Sequence, residues 1–229
     1  MNGINSRYST EKLTLRLAEK DFYLLRVTNT DELYAELIAK GEEHPDVKDE
    51  RIPYWADLWP SALALAEEVL VNPLVKPGAS VLEIGCGLGL PGIAAAKKGA
   101  RVQMTDYVQE PLDFVKLNWA LNLTSIPDLQ VMDWRSADPN LAADIVLASD
   151  IAYEKRVFEF LPKAFRTLLK PGGVVLLSEP NRSLARDFFR TLPQLGFSFT
   201  RKTRKVSLNG RENEVCVYEI RDNSSVWQK

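Results

Sequence analysis

Cysteine and histidine are scarce in this chain of 229 residues: Cys86 and Cys216 are the only thiols, and His44 is the only imidazole. Two thiols so far apart give no disulfide framework, and one histidine cannot complete a Cys/His zinc site. The same scarcity leaves Ser/His/Asp and Cys/His catalytic schemes without an evident base. An excess of one charge is missing as well. Lys and Arg number 29 against 31 Asp and Glu, a formal net charge of -2, so no whole-protein field draws in nucleic acid. No run approaches the roughly 18 apolar residues of a membrane span, and the opening MNGINSRYSTEKLTLR lacks the apolar core of a secretion signal. The expectation is a cytoplasmic protein with neither a membrane nor a nucleic-acid partner, whose chemistry rests on carboxylates, glycines and aromatics.

What is present is the composition of an ordinary globular domain, 45% hydrophobic and 26% charged, with length for one core. From about 79 to 221, short β-branched runs alternate with amphipathic stretches, the pattern of a mostly parallel sheet covered by helices. Strands are expected at 79–84, 101–105, 129–132, 144–148 and 174–178, with helices over 90–98, 109–121 and 183–192. Leu169-Lys170-Pro171-Gly172-Gly173 stops the helix before the fifth strand. Two final runs, 197–206 and 214–220, flank Asn209-Gly210 and predict an antiparallel pair joined to the sheet. Residues 1–50 are too few for a core of their own. They predict a hairpin (12–17 with 21–27) and a helix (31–40), packed as an extension on a main domain at 51–229.

The central signal is Val81-Leu82-Glu83-Ile84-Gly85-Cys86-Gly87-Leu88-Gly89-Leu90-Pro91-Gly92, a strand that runs through a glycine loop into a helix. Glycines there permit positive φ and close approach of a ligand. Gly87, Gly89 and Gly92 formally make G-x-G-x-x-G, so a dinucleotide site is weighed first. Register opposes it, because the strand ends at Gly85. Charge opposes it too: a Glu83 carboxylate at the loop mouth repels a pyrophosphate and favours a cation, and S-adenosylmethionine carries a sulfonium and an ammonium. Asp106, at the end of the second strand, suits both ribose hydroxyls. Asp133 and Trp134, after the third, suit the adenine amino group and ring face. The plainer alternatives are a tight βα turn for the glycines, a helix cap for Asp106, and a turn Asp with a core Trp at 133 and 134.

Ligands of open parallel sheets sit beyond the carboxyl ends of the strands, so the segment after the fourth strand, Ser149-Asp150-Ile151-Ala152-Tyr153-Glu154, is the expected reaction site. A carboxylate and a phenol three apart suit a cationic amine; the plainer reading is a helix cap with a packed ring. Two tryptophans in Trp55-Ala56-Asp57-Leu58-Trp59-Pro60-Ser61 form either a lid over a cofactor or a staple for the extension, and spacing favours the staple. His44 reads as solvated. The basic residues Arg201, Lys202, Arg204, Lys205 and Arg211 read as a solvated edge that discourages strand pairing, with contact to RNA or an acidic protein as the alternative.

Taken together, Trp59-Pro60-Ser61-Ala62, the stretch Glu83 to Gly92 with its Ile93-Ala94-Ala95 continuation, Asp133-Trp134 and Asp150-x-x-Tyr153 resemble methyltransferase family 16, which contains protein-lysine methyltransferases. The resemblance covers about 50–221. It implies a doubly wound, Rossmann-like α/β fold with seven strands in the order 3-2-1-4-5-7-6, the last strand antiparallel. It implies S-adenosylmethionine as cofactor, with Trp59, Glu83, Gly85, Asp106, Trp134 and Ser149 at the cofactor, where the residue reading adds Gly87, Gly89 and Asp133, and with Asp150 and Tyr153 at the acceptor. It raises Trp59 above the staple reading. The implied activity is N-methylation of lysine side chains on a protein substrate. Alternatives are a small-molecule or RNA methyltransferase and a non-catalytic regulator that binds the cofactor. Oligomeric state is left open.

Overall fold

The computed structural model describes residues 7–224. Seven strands form one sheet: β3 (Ser80–Ile84), β4 (Arg101–Asp106), β5 (Asp128–Val131), β6 (Ala143–Ser149), β7 (Leu169–Glu179), β8 (Phe197–Leu208) and β9 (Arg211–Asp222). Their order is β5-β4-β3-β6-β7-β9-β8, with β9 antiparallel to both neighbours, which is the expected order once a separate hairpin has taken the labels β1 (Thr10–Leu17) and β2 (Lys20–Val27). Helices α3 (Pro60–Val71), α4 (Leu90–Lys97) and α5 (Gln109–Ala120) pack with Val81, Ile145 and Leu147 on one face. On the other face α6 (Leu161–Leu168) and α7 (Ser183–Thr191) pack on Leu82, Ile84, Val146 and Val175. Burial on both faces explains why β3 and β6 are almost continuously apolar.

Local chemistry sets the boundaries. Asn209 and Gly210 both take positive φ, the geometry of a two-residue hairpin turn, so β8 and β9 pair right up to Leu208 and Arg211 and run longer than expected. The β1–β2 turn is less easily read: Ala18 and Glu19 adopt positive φ without a glycine or asparagine to signal it. The hairpin does not stand alone. Asn118 on α5 accepts from the Leu25 amide at 2.6 Å, and Asn122 both donates to the Tyr23 carbonyl at 2.6 Å and accepts from its amide at 3.1 Å. Two asparagines, one on α5 and one just past its end, thus clamp β2 to the domain. Helices α1 (Thr30–Ala39) and α2 (Pro45–Lys48) follow, and His44 caps α2 by accepting from the Asp46 amide at 3.1 Å. At the far edge, Lys202 and Arg204 do not simply face solvent. Both donate to the buried Glu68 carboxylate on α3, at 3.0 Å and 2.6 Å, and so fix the tail hairpin to the helix that begins beside Trp59.

Candidate active site

The carboxyl ends of β3, β4 and β6 open into a cavity of about 940 Å³, roofed by residues 49–59. Strand β3 ends at Ile84, and the chain turns through Gly85 and Gly87, both with positive φ. A side chain at Gly85 would sit 3.2 Å from Ile151, and one at Gly87 would sit 3.7 Å from the Trp55 backbone, so both glycines keep the cavity floor open. Gly89 belongs elsewhere. It caps α4 in the left-handed region and is buried where a Cβ would lie 2.9 Å from Val115, so it packs α4 against α5 and does not line the cavity.

Asp106 is 9% exposed at the end of β4 and lines the cavity. Its carboxylate accepts from the Gly87 amide at 2.9 Å and the Tyr107 amide at 2.7 Å. Burial pushes its pKa up to about 6, against the opposing pull of the Gly87, Tyr107 and Val108 amides. The carboxylate therefore shapes the glycine turn as well as facing the cavity. Trp134 lines the cavity as expected. Asp133 lines it too, and its carboxylate also caps the Arg135 amide at 2.9 Å and pairs with the Arg135 guanidinium at 2.8 Å.

Glu83 departs from its expected place. In a strand, successive side chains alternate faces, and Glu83 points with Val81 toward α4, behind the loop and not at its mouth. It is fully buried, does not line the cavity, and accepts from the Gly92 amide at 2.9 Å through Oε2, while Oε1 has no partner among the described residues. Burial raises its pKa to about 8, with the Gly92 amide opposing and the Asp106 charge reinforcing. At neutral pH it is mainly protonated, so it is not the source of a cation-attracting field; of the two carboxyls that bond the glycine turn and the start of α4, Asp106 reaches the cavity and Glu83 does not. A carboxyl whose pKa rises on folding contributes stability below its unfolded pKa, and that contribution is lost as pH climbs through the folded value. The melting temperature without added cofactor is therefore expected to fall from the ordinary carboxylate range up to about pH 8. Glu83→Gln, which mimics the protonated form, should flatten most of that slope in a series of thermal melts. An equally steep slope in the variant would show that the titration belongs to another group.

The acceptor end is aromatic. Trp59, at the start of α3, donates through Nε1 to the Tyr54 carbonyl at 2.7 Å. The Tyr54 ring meets Trp59 and Tyr153 edge-on, each at 5.9 Å between centroids. Burial lifts the Tyr153 phenol to about 12, so it stays a neutral donor. Both tryptophans line the cavity, but Trp55 also packs on Phe114 of α5 at 5.3 Å and on Tyr8 at 5.9 Å as a staple, while Trp59 is partly exposed at the rim. Ser149, Asp150 and Tyr153 all line the cavity after β6. Asp150 caps no helix; it takes positive φ and forms an ion pair with Arg182, whose Nη2 donates at 3.3 Å, while the Ser61 hydroxyl donates at 3.3 Å. The bare carboxylate expected for a cationic amine is thus a neutralised pair.

Sequence reading missed this Arg182, and it missed the strap over the other end. Asp49 accepts from Arg135 at 2.8 Å and from the Tyr107 hydroxyl, and these partners hold its pKa down to about 2. Glu50 pairs with Arg156 at 3.0 Å. These pairs tie residues 49–51 to the segments after β4, β5 and β6. Each joins residues far apart in the chain, so no local pattern announces them.

A doubly wound sheet with a glycine turn after its central strand, a carboxylate ending the next strand and an open cavity at the carboxyl ends is the class I methyltransferase arrangement. Residues 55–194 match the sequence profile of the lysine methyltransferase family, methyltransferase family 16, and the chain belongs to that family. A histone-arginine methyltransferase of Rattus norvegicus is 34% identical over 128 residues, 50% of this chain and 56% of that protein. The electron transfer flavoprotein beta subunit lysine methyltransferase of Danio rerio is 32% identical over 149 residues, 63% of this chain and 57% of that protein. The chain therefore spans somewhat over half the length of these curated relatives. Among solved structures, the magnesium protoporphyrin IX methyltransferase of Synechocystis with bound S-adenosylmethionine shares the fold at TM-score 0.55 and 17% identity, covering 84% of this chain and 91% of that one. S-adenosylmethionine is accordingly the cofactor of this family and fold. The chemistry of the lining fits it: a glycine turn, a carboxylate at Asp106 and an indole at Trp134 line one cavity, the groups that a ribose and an adenine ring would call for.

Proposed function

We propose that the chain is an S-adenosylmethionine-dependent N-methyltransferase that modifies lysine side chains of a protein. The observation that carries the reading is a single cavity whose glycine and Asp106 end suits the cofactor and whose other end presents Tyr54, Trp59 and Tyr153 beside the Asp150–Arg182 pair. When bound, the cofactor supplies an electrophilic methyl on a sulfonium. The protein's task is then to align an amine with that methyl and keep water away. A lysine ammonium has no lone pair, and a bare carboxylate beside it would hold the proton on. Arg182 neutralises Asp150, and the aromatic walls desolvate the amine; both lower the amine pKa and favour its neutral, nucleophilic form. The rings also accommodate the positive charge that nitrogen acquires as the new bond forms.

Incubating the full chain with radiolabelled cofactor and a hypomethylated extract, followed by acid hydrolysis of the protein fraction, is expected to yield labelled methyl-lysine. Methyl-arginine would keep the protein substrate and change the side chain. Label confined to RNA or to small molecules would overturn the protein reading. Cofactor binding by calorimetry with no label in any fraction would make the chain a cofactor-binding regulator.

A further inference from the structure

We propose that the outward face of α1 is the docking surface for the substrate, and that its occupant is a basic protein segment with an apolar anchor next to the target lysine. The inference rests on the lysine-methylation reading and extends it from the reacting side chain to the sequence around it. Helix α1 presents two adjacent apolar edges. Leu33 and Leu37 turn toward the cavity and help line it, whereas Tyr34 and Ile38, one turn apart, are 47% and 58% exposed. Tyr54 and Trp59, 45% and 37% exposed, stand at the rim of the same cavity that Leu33 and Leu37 help line. Tyr34, Ile38, Tyr54 and Trp59 are four of the eight large hydrophobics exposed among the described residues, all on the helix or the segment that borders the cavity.

Charge decides which partner fits. Residues 30–59 carry nine Asp and Glu against three Lys and Arg, in a chain that is close to neutral as a whole. Several of these carboxylates are spent on the strap, but Asp31 and Glu32 at one end of α1 and Glu42 beyond the other form no ion pair among the described residues. An apolar strip with unpaired negative charge at both ends complements a cationic, apolar segment and repels an acidic one. A second copy of the chain fits poorly, because a two-fold contact would set this acidic patch against itself.

The test uses the full chain saturated with cofactor and two fluorescein-labelled synthetic peptides of about 15 residues, alike in a central lysine and two leucines, one rich in arginine and the other in glutamate. Fluorescence anisotropy is expected to show binding of the basic peptide, weakened as salt rises, and none of the acidic one. Tyr34→Ala with Ile38→Ala should weaken the basic peptide about tenfold, and Asp31→Lys with Glu42→Lys should shift preference toward the acidic peptide. None of these residues lies in the cofactor end of the cavity, so unchanged cofactor binding by calorimetry verifies that each variant is folded. Equal binding of both peptides, or wild-type affinity in the Tyr34/Ile38 variant, overturns the proposal. So does a change of oligomeric state in that variant by sedimentation, which would make the strip a contact between copies. If lysine methylation itself is the wrong reading, the extract yields no methyl-lysine even though the basic peptide still binds, so the two failures are distinguishable.

Discussion

Gly92→Ala is expected to lower unfolding stability by about 3 kcal/mol, seen as an earlier midpoint in urea at unchanged slope. The residue sits in the first turn of α4, directly above β3 and β4. A Cβ there would overlap Met104 Sδ and lie 2.5 Å from Glu83 Oε2 and 2.9 Å from Met104 Cγ. Both side chains are fully buried, so neither swings into solvent to make room. Close-packed interiors absorb an added methyl by forcing side chains off their rotamers or by shifting a helix. A shift of α4 would also stretch the 2.9 Å bond from the Gly92 amide to Glu83, leaving a buried carboxyl with neither oxygen partnered. Gly210→Ala provides the contrast: nothing lies within 4 Å of its Cβ, and only a φ of +73° opposes the change, which should cost about 1 kcal/mol. If the two variants unfold at the same urea concentration, close packing of α4 on the strands is not what requires glycine at 92.

Period and turn chemistry made the sheet legible in the sequence. Apolar runs of strand length separated by helical spacing define a parallel sheet, and Asn209-Gly210 announces the one hairpin within it. The cavity floor was legible for the same reason, because glycines that end a strand and start a helix have few other uses. Glu83 shows how a correct motif gave a wrong placement. The motif says that a carboxylate precedes the loop, but strand alternation decides its face, and the parity of Val81 and Glu83 already sends it toward α4. The partners of the acidic residues were not legible at all. Asp150 meets Arg182 across 32 residues, and Asp49 meets Arg135 across 86, encounters that only the folded sheet arranges. For that reason the sequence brought Asp150 and Tyr153 to the cavity but not the ion pair that neutralises Asp150.

That electrostatic state governs the second large effect. Asp150→Asn is expected to reduce turnover on the protein substrate by about two orders of magnitude while cofactor affinity by calorimetry stays within about twofold. Asparagine tolerates the positive φ that Asp150 adopts, so the turn after β6 is retained and the change is confined to charge. Without the carboxylate, Arg182 stands uncompensated at the acceptor end, where the attacking nitrogen gains positive charge as its bond to carbon forms, and the barrier rises. Arg182→Met makes the opposite change. It leaves Asp150 bare, which raises the pKa of a nearby lysine, so the rate should recover only at higher pH, with the pH profile displaced upward. Tyr153→Phe removes a neutral hydroxyl and keeps the ring against Tyr54, and it should lose about tenfold in turnover. The paired shifts separate a role in chemistry from one in folding, since a merely structural ion pair would lower the melting temperature of both charge variants and displace neither pH profile. Normal turnover by Asp150→Asn on its true substrate would remove the pair from the reaction and leave the aromatic walls as the only groups acting on the amine.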